Sequence, residues 1–158
     1  MRRKDREISD IGEIFNILNR CHVLHLAIND EPYPYVVPLS FGAELENGQI
    51  IAYFHGAQAG HKVDLLGNSK SVCMEAETFF RTEQVKDNFT TRYESVIGTG
   101  ICEKLVRRED ILKGLQSIMV HAGFGEFPVE NCSSLPAVNV YRIVLVCSAS
   151  VILTSQAI

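Results

Sequence analysis

The chain has 158 residues, 46% of them hydrophobic and 22% charged, which is the size and composition of one globular domain spanning residues 1–158 with a proper core. Its net charge of -4, with no basic run beyond the N-terminal "MRRK", argues against nucleic acid as a partner. "DREISDIGEIF" is too polar for an apolar leader and "IVLVCSASVIL" too short and serine-interrupted to span a bilayer, so a cytoplasmic protein with no membrane partner is expected.

Apolar residues at positions 8, 11, 14, 15 and 18 predict an amphipathic helix over Ile8 to Asn19. "CHVLHLAI", Cys21 to Ile28, then reads as a strand, with His22, Leu24, Leu26 and Ile28 on one face and Val23, His25 and Ala27 on the other. The two histidines diverge, which disfavours a shared metal. A second strand is expected over Tyr35 to Ala43, joined through the Asn47-Gly48 turn to a third over Ile50 to His55. Ser71 to Glu77 reads as a fourth strand, and the polar "TFFRTEQVKDNFTT" as an excursion or long hairpin tip. Arg92 to Val106 returns as a long strand whose Gly98 and Gly100 mark a bend or a close backbone approach. A helix over Glu109 to His121, a loop, and a closing strand over Val138 to Leu153 complete the chain.

Six mostly antiparallel strands with three attached helices predict a mainly β fold, a small barrel rather than a doubly wound sheet, because most connections are too short to carry crossover helices. The five cysteines, Cys21, Cys73, Cys102, Cys132 and Cys147, contain no C-x-x-C pair and read mostly as buried thiols. No carboxylate stands near a histidine in a spacing that suggests a metal centre or a hydrolase. His22, His25 and His121 read as core, interface or helix-end residues.

The stretch "YFHGAQAGHK" is where chemistry concentrates. A strand ends at His55, a linker of small residues from Gly56 to Ala59 follows, and a helix opens with His61 and Lys62. Small residues let backbone N–H groups approach a ligand, and Lys62 adds a full positive charge, which together suit an anion such as a phosphate monoester. The same residues also fit a plain strand, turn and helix with an exposed histidine and lysine, and spacing alone does not separate the two.

The succession "RCHVLHLAI", "PYVVPLSFGA", "IIAYFHGAQAGHKVDLL", "SVCMEA" and "RYESVIGTGICEKL" resembles the pyridoxamine-phosphate-oxidase-like FMN-binding split barrels, most closely their nitroimidazole-reductase-like branch. The resemblance runs from about Cys21 to His121. It implies a six-stranded antiparallel split barrel that pairs as a homodimer with FMN at the subunit interface. It further implies that the strand Val36 to Phe41 lines the flavin ring, with Pro38, Leu39 and Ser40 at its polar edge. His55, His61 and Lys62 would hold the phosphate, and Arg92, Tyr93 and Ser95 would approach the flavin from the partner subunit. The C-terminal substrate-binding segment of true pyridoxamine phosphate oxidases has no counterpart, so the resemblance does not carry over vitamin B6 oxidation. The implied activity is reduction of a small planar acceptor, with reduced nicotinamide as a possible donor visiting the flavin, since no G-x-G-x-x-G fingerprint is present. The alternative is a flavin- or haem-binding carrier or sensor without turnover.

Overall fold

The computed structural model of the chain describes residues 7–145 and 150–151. "MRRK", Cys147 and parts of the expected closing strand lie outside the described residues. Helix α1 spans Ile11–Leu18 and starts where the Asp10 carboxylate accepts the Glu13 amide at 2.8 Å. That cap satisfies an otherwise unpartnered N–H and sets the helix start, so Ile8 is buried without being helical. Ile14, Ile17 and Leu18 are at most 2% exposed, each contributing roughly 1.5–3 kcal/mol of burial.

Strand β1 (Leu24–Ile28) turns Leu24, Leu26 and Ile28 into the core. His22, expected on that same face, instead lies in a bend before the strand and is exposed. The expected strand from Tyr35 to Ala43 is broken at Ser40 into β2 (Tyr35–Leu39) and β3 (Phe41–Glu46). β2 pairs with β1, setting Leu39 opposite Leu24, whereas β3 pairs with β4 (Gln49–Ala57), setting Phe41 opposite Phe54. Asn47 and Gly48 connect β3 to β4 with φ of 50° and 76°, the left-handed pair that a two-residue hairpin requires.

Helix α2 (His61–Leu66) leads into β5 (Ser69–Val85), which forms a long hairpin with β6 (Asn88–Lys104). "TFFRTEQVKDNFTT" is therefore the hairpin tip. β7 (Val138–Leu145) and β8 (Ser150–Val151) follow helix α3 (Arg108–His121) and a loop with two short 3-10 turns. The sheet runs β2-β1-β5-β6-β7-β4-β3, with β8 beside β6. One more strand stands along this path than the six expected, because Ser40 divides one of them. Since β2 and β3 end the path yet are consecutive in sequence, the antiparallel sheet curls into a split barrel, and α1 fills its interior.

α3 packs outside the barrel on β3, β4 and β7, forming a second core of Tyr53, Leu105, Ile118 and Val140. Gly42 permits this contact. A Cβ there would lie 2.3 Å from the backbone carbonyl carbon of Ser117. Lys113 fastens the same helix to β3 through Glu44, at 3.0 Å, and Glu46. His121 ends α3 with its Nε2 donating to the Cys21 carbonyl at 2.7 Å and its ring tilted on Phe41. No helix among the described residues is long and apolar enough to cross a membrane.

The Gly42 contact is backbone against backbone, so it cannot be relieved by a rotamer change. Gly42→Ala should lower stability by about 1–3 kcal/mol or more, read as a lower urea midpoint. An unchanged midpoint would mean that α3 does not rest on this approach.

Candidate functional site

Along β4 the side chains alternate: Ile50, Ala52 and Phe54 enter the barrel, while Ile51, Tyr53 and His55 face α3. Gly56 falls on the Phe54 side. The strand continues through Gly56 to Ala57, so the linker expected from Gly56 shrinks to Gln58, Ala59 and Gly60, the last with φ of 125°.

Lys62, the second residue of α2, folds back over this glycine. Its Nζ stands 5.4 Å from the centroid of the Phe54 ring, and a Cβ on Gly56 would lie 2.7 Å from the same nitrogen. The aromatic face attracts the ammonium, and the missing side chain at residue 56 makes the space it occupies. Burial holds the Lys62 pKa below the usual lysine value. Lys62 has no carboxylate ion pair among the described residues, whereas Arg20, Arg81, Arg92, Arg107, Lys113 and Arg142 all have one. α2 has only six residues, so the positive character here rests on Lys62 itself rather than on a helix dipole. Burial, helped by Glu103, pushes the nearby Cys102 thiol up to about 12 despite the opposing charge of Lys62, which keeps that sulfur protonated and inert.

The other expected site residues divide into three groups. His61 does not join Lys62. Its Nε2 lies 2.7 Å from Asp30 Oδ2, and its ring meets Tyr35 edge-on at 5.1 Å. That hydrogen bond holds the Asp30 carboxyl below its usual range. The contact ties the start of α2 to the β1–β2 connection and so fixes where Lys62 emerges. His55 lies on the opposite face of β4, at the rim of an apolar pocket of about 120 Å³ with Met119, Phe127 and Cys132. Burial and then the charge of Lys62 depress its pKa, favouring the neutral ring.

Pro38 and Leu39 end β2, a strand at the end of the sheet path where a missing N–H is tolerated, and Ser40 follows it. Pro38 is exposed opposite His25, Leu39 is buried, and Ser40 is exposed at the corner. Arg92, Tyr93 and Ser95 lie far along β6. Arg92 donates from Nε to Glu83 Oε2 at 2.7 Å, Tyr93 is half-buried, and Ser95 is buried opposite Glu77. Counting strand rise from Cys102, beside Lys62, Arg92 is about 30 Å away. One chain alone does not bring these three to Lys62.

Phe54 and Asp30 are the site residues that the sequence reading missed. The alternation of β4 already puts Phe54 and Gly56 on one face and could have revealed the platform. Asp30 stands 31 positions from His61, and nothing local announces their pairing. Pairing of β1 with β5 also assembles what spacing did not suggest: His25 Nδ1 lies 3.2 Å from Glu75 Oε2 and 3.7 Å from Glu77 Oε2. Burial, and next the neighbouring Glu77, pushes the Glu75 carboxyl up to about 7. A separate cleft of about 480 Å³ opens between β1, β5 and β6, lined among others by Ala27, Pro34, Ser71, Cys73 and Thr99.

No curated protein matches the chain. Among solved structures, a candidate 5-nitroimidazole antibiotic resistance protein from Bacteroides thetaiotaomicron is 25% identical, with a TM-score of 0.74 over 92% of this chain and 85% of that one. The flavocytochrome Anf3 from Azotobacter vinelandii is 20% identical, with a TM-score of 0.77 over 99% of this chain and 72% of that one. The FAD and heme binding protein from Mycobacterium smegmatis is 13% identical, with a TM-score of 0.75 over 96% and 74%. The last two speak for the fold. The family model described as pyridoxamine 5'-phosphate oxidase matches residues 10–147, the span that builds the curled barrel and carries Lys62 over Gly56, and the chain belongs to that family.

Proposed function

We propose that the chain binds FMN, with its phosphate against Lys62, and acts as an oxidoreductase that reduces a small planar acceptor. The observation that carries this reading is Lys62: a half-buried ammonium, seated on an aromatic face over a glycine, with no carboxylate ion pair among the described residues. A buried cation without a counter-charge is costly, and a phosphate supplies both the charge and several acceptor oxygens. The ammonium of Lys62 suits a terminal phosphate, and FMN rather than a dinucleotide is proposed on that ground. Bound flavin would supply the two-electron chemistry, and the protein would position it and exclude water. Reduced nicotinamide is the proposed donor.

The functional unit in this reading is a homodimer with FMN in the seam. Two features support it. The β5–β6 ribbon runs beyond β1 and β7 and leaves Phe89 69% exposed, and an isolated two-stranded ribbon is marginal without a surface to lie on. The outer face of β2 and β6 carries Val36 and Ile97, 57% and 44% exposed, apolar area that a second copy would cover. A partner's ribbon is also the means by which Arg92, Tyr93 and Ser95 would reach a flavin that their own chain's geometry denies them. The second reading, a carrier without turnover, draws on the solved structures named as FAD and heme binding or FAD binding proteins. Steady-state oxidation of reduced nicotinamide with a panel of nitroaromatic and quinone acceptors separates the two, and flavin without turnover would favour the carrier.

Lys62→Ala should weaken FMN binding about ten- to a hundred-fold, the loss of one charge-assisted hydrogen bond of roughly 1.5–3 kcal/mol, while riboflavin affinity stays as it was. Fluorescence quenching titrations read both ligands. Equal FMN affinity in variant and wild type would remove the phosphate from Lys62, and tighter binding of FAD than of FMN would replace the cofactor.

Because the lowered Lys62 pKa puts its deprotonation below the ordinary lysine range, wild-type affinity for FMN should fall as pH rises into that region, with no matching change for riboflavin.

Sedimentation of the FMN-loaded protein should give a dimer that loosens when flavin is removed. A monomer saturated with FMN would exclude the seam.

A further inference from the structure

We propose that His25, Glu75 and Glu77 form a binding site for one divalent transition-metal cation, with Zn²⁺ as its probe. The site stands apart from Lys62 and does not rest on the flavin reading. His25 is directly opposite Glu75 in the pairing of β1 with β5. Glu77 follows two residues on, and strand alternation puts it on the same face as Glu75. Backbone register therefore fixes the origin of all three side chains. Their ligand atoms lie within 4.8 Å of one another, with His25 Nδ1 at 3.2 Å and 3.7 Å from the two carboxylate oxygens.

Those separations suit a metal. Bonds of about 2.0–2.2 Å in tetrahedral geometry put neighbouring ligand atoms about 3.3–3.6 Å apart, and the two observed distances bracket that interval. The remaining edge, between the two carboxylates, is at most 4.8 Å and closes by rotation of the glutamate side chains. The set of one imidazole and two carboxylates matches the borderline ions of the zinc type. Ca²⁺ and Mg²⁺ instead favour six or more oxygens. In the single chain, side-chain exposures of 37%, 33% and 46% for His25, Glu75 and Glu77 leave a fourth position open to water or, on a face that also carries Ile97, to a group from a second copy.

Charge points the same way. Two carboxylates on one face of one strand repel each other, and among the described residues neither is paired with a lysine or arginine; the imidazole is the one basic group that meets them. A divalent cation would cancel both charges at once. The histidine also separates this cluster from the common case of exposed acidic residues, which have solvent contact and no nitrogen donor between them.

Isothermal titration of the full chain with ZnCl₂ and, separately, MgCl₂ tests the proposal, with FMN present or absent. One zinc should bind per chain at least ten-fold more tightly than magnesium, and zinc should raise the thermal midpoint. His25→Ala and Glu77→Gln should each weaken zinc binding at least ten-fold, whereas His61→Ala, which removes the other histidine–carboxylate pair, should leave it unchanged. Glu77→Gln keeps the side-chain shape and removes one of two like charges. Without zinc it should unfold at or above the wild-type midpoint. Zinc binding that survives in both His25→Ala and Glu77→Gln would overturn the site. So would a Glu77→Gln variant less stable than wild type without metal, because that result would make the cluster a plain ion pair.

Discussion

The break at Ser40 is the constraint on which this structure turns. A single extended stretch leaves β1 and joins β4 within one residue, so the two ends of a seven-strand path meet in sequence. An antiparallel sheet with that connection cannot stay open and flat. It must curl, and the curl creates an interior that Phe41, Phe54 and the α1 residues Ile14 and Leu18 fill. It also divides β4 into two working faces, one lining the barrel and one receiving α3. The position of Lys62 is a consequence. Its glycine and its aromatic platform belong to the interior face of β4, and the Asp30–His61 contact that aims it comes from the β1–β2 connection.

The distribution of charge then distinguishes positions that are finished from positions that are not. Lys113 holds α3 to β3, and Arg142 holds β7 to β6 through Glu103 at 2.9 Å. Arg107 opens α3 beside Asp110 at 2.8 Å. These are partly exposed pairs of small individual value, but each completes its own neighbourhood. Lys62 and the pair Glu75 and Glu77 are the opposite case, one an ammonium without a counter-ion and the other two like charges sharing one imidazole. Glu75 and Glu77 sit on a strand whose register is fixed by pairing with β6, and with β1 at Glu75, while Lys62 opens a helix tied to the sheet through His61 and Asp30. A rigid scaffold with incomplete charge is what a binding site requires before its ligand arrives.

Local pattern made most elements legible. The Asn47-Gly48 turn, the α3 helix and the β4 strand follow from residue types within a few positions of each other, and the structure has them where the pattern put them. Element ends were less legible, since Asp10 sets the start of α1 by a hydrogen bond that periodicity does not encode. The split at Ser40 was hidden for a different reason: "YVVPLSFGA" is uniformly strand-like, and only the choice of partner changes. Within the site, the glycine and the lysine were visible as a motif, whereas His55 and Lys62, seven residues apart, fell to opposite faces by the alternation of β4. Asp30 beside His61 and Glu75 beside His25 depend on strand pairing across long sequence separations, which one sequence read locally does not contain.

The length of β6 links the fold to the proposed assembly. Its C-terminal end, from Gly100 to Lys104, is held between β5 and β7, while Arg92 and Tyr93 lie in the ribbon that neither β1 nor β7 accompanies. Arg92 and Arg81 converge there on Glu83, and Arg20, just past α1, pairs with Glu94 at the base of the ribbon. An arm whose Arg92 lies about 30 Å from its own Lys62 cannot fold back to serve that residue without breaking the β5–β6 ladder. The same length would let the arm of one copy reach the site of another and find there the surface that an isolated ribbon lacks. The geometry that separates Arg92 from Lys62 within one chain is therefore the reason the proposed site is shared between two.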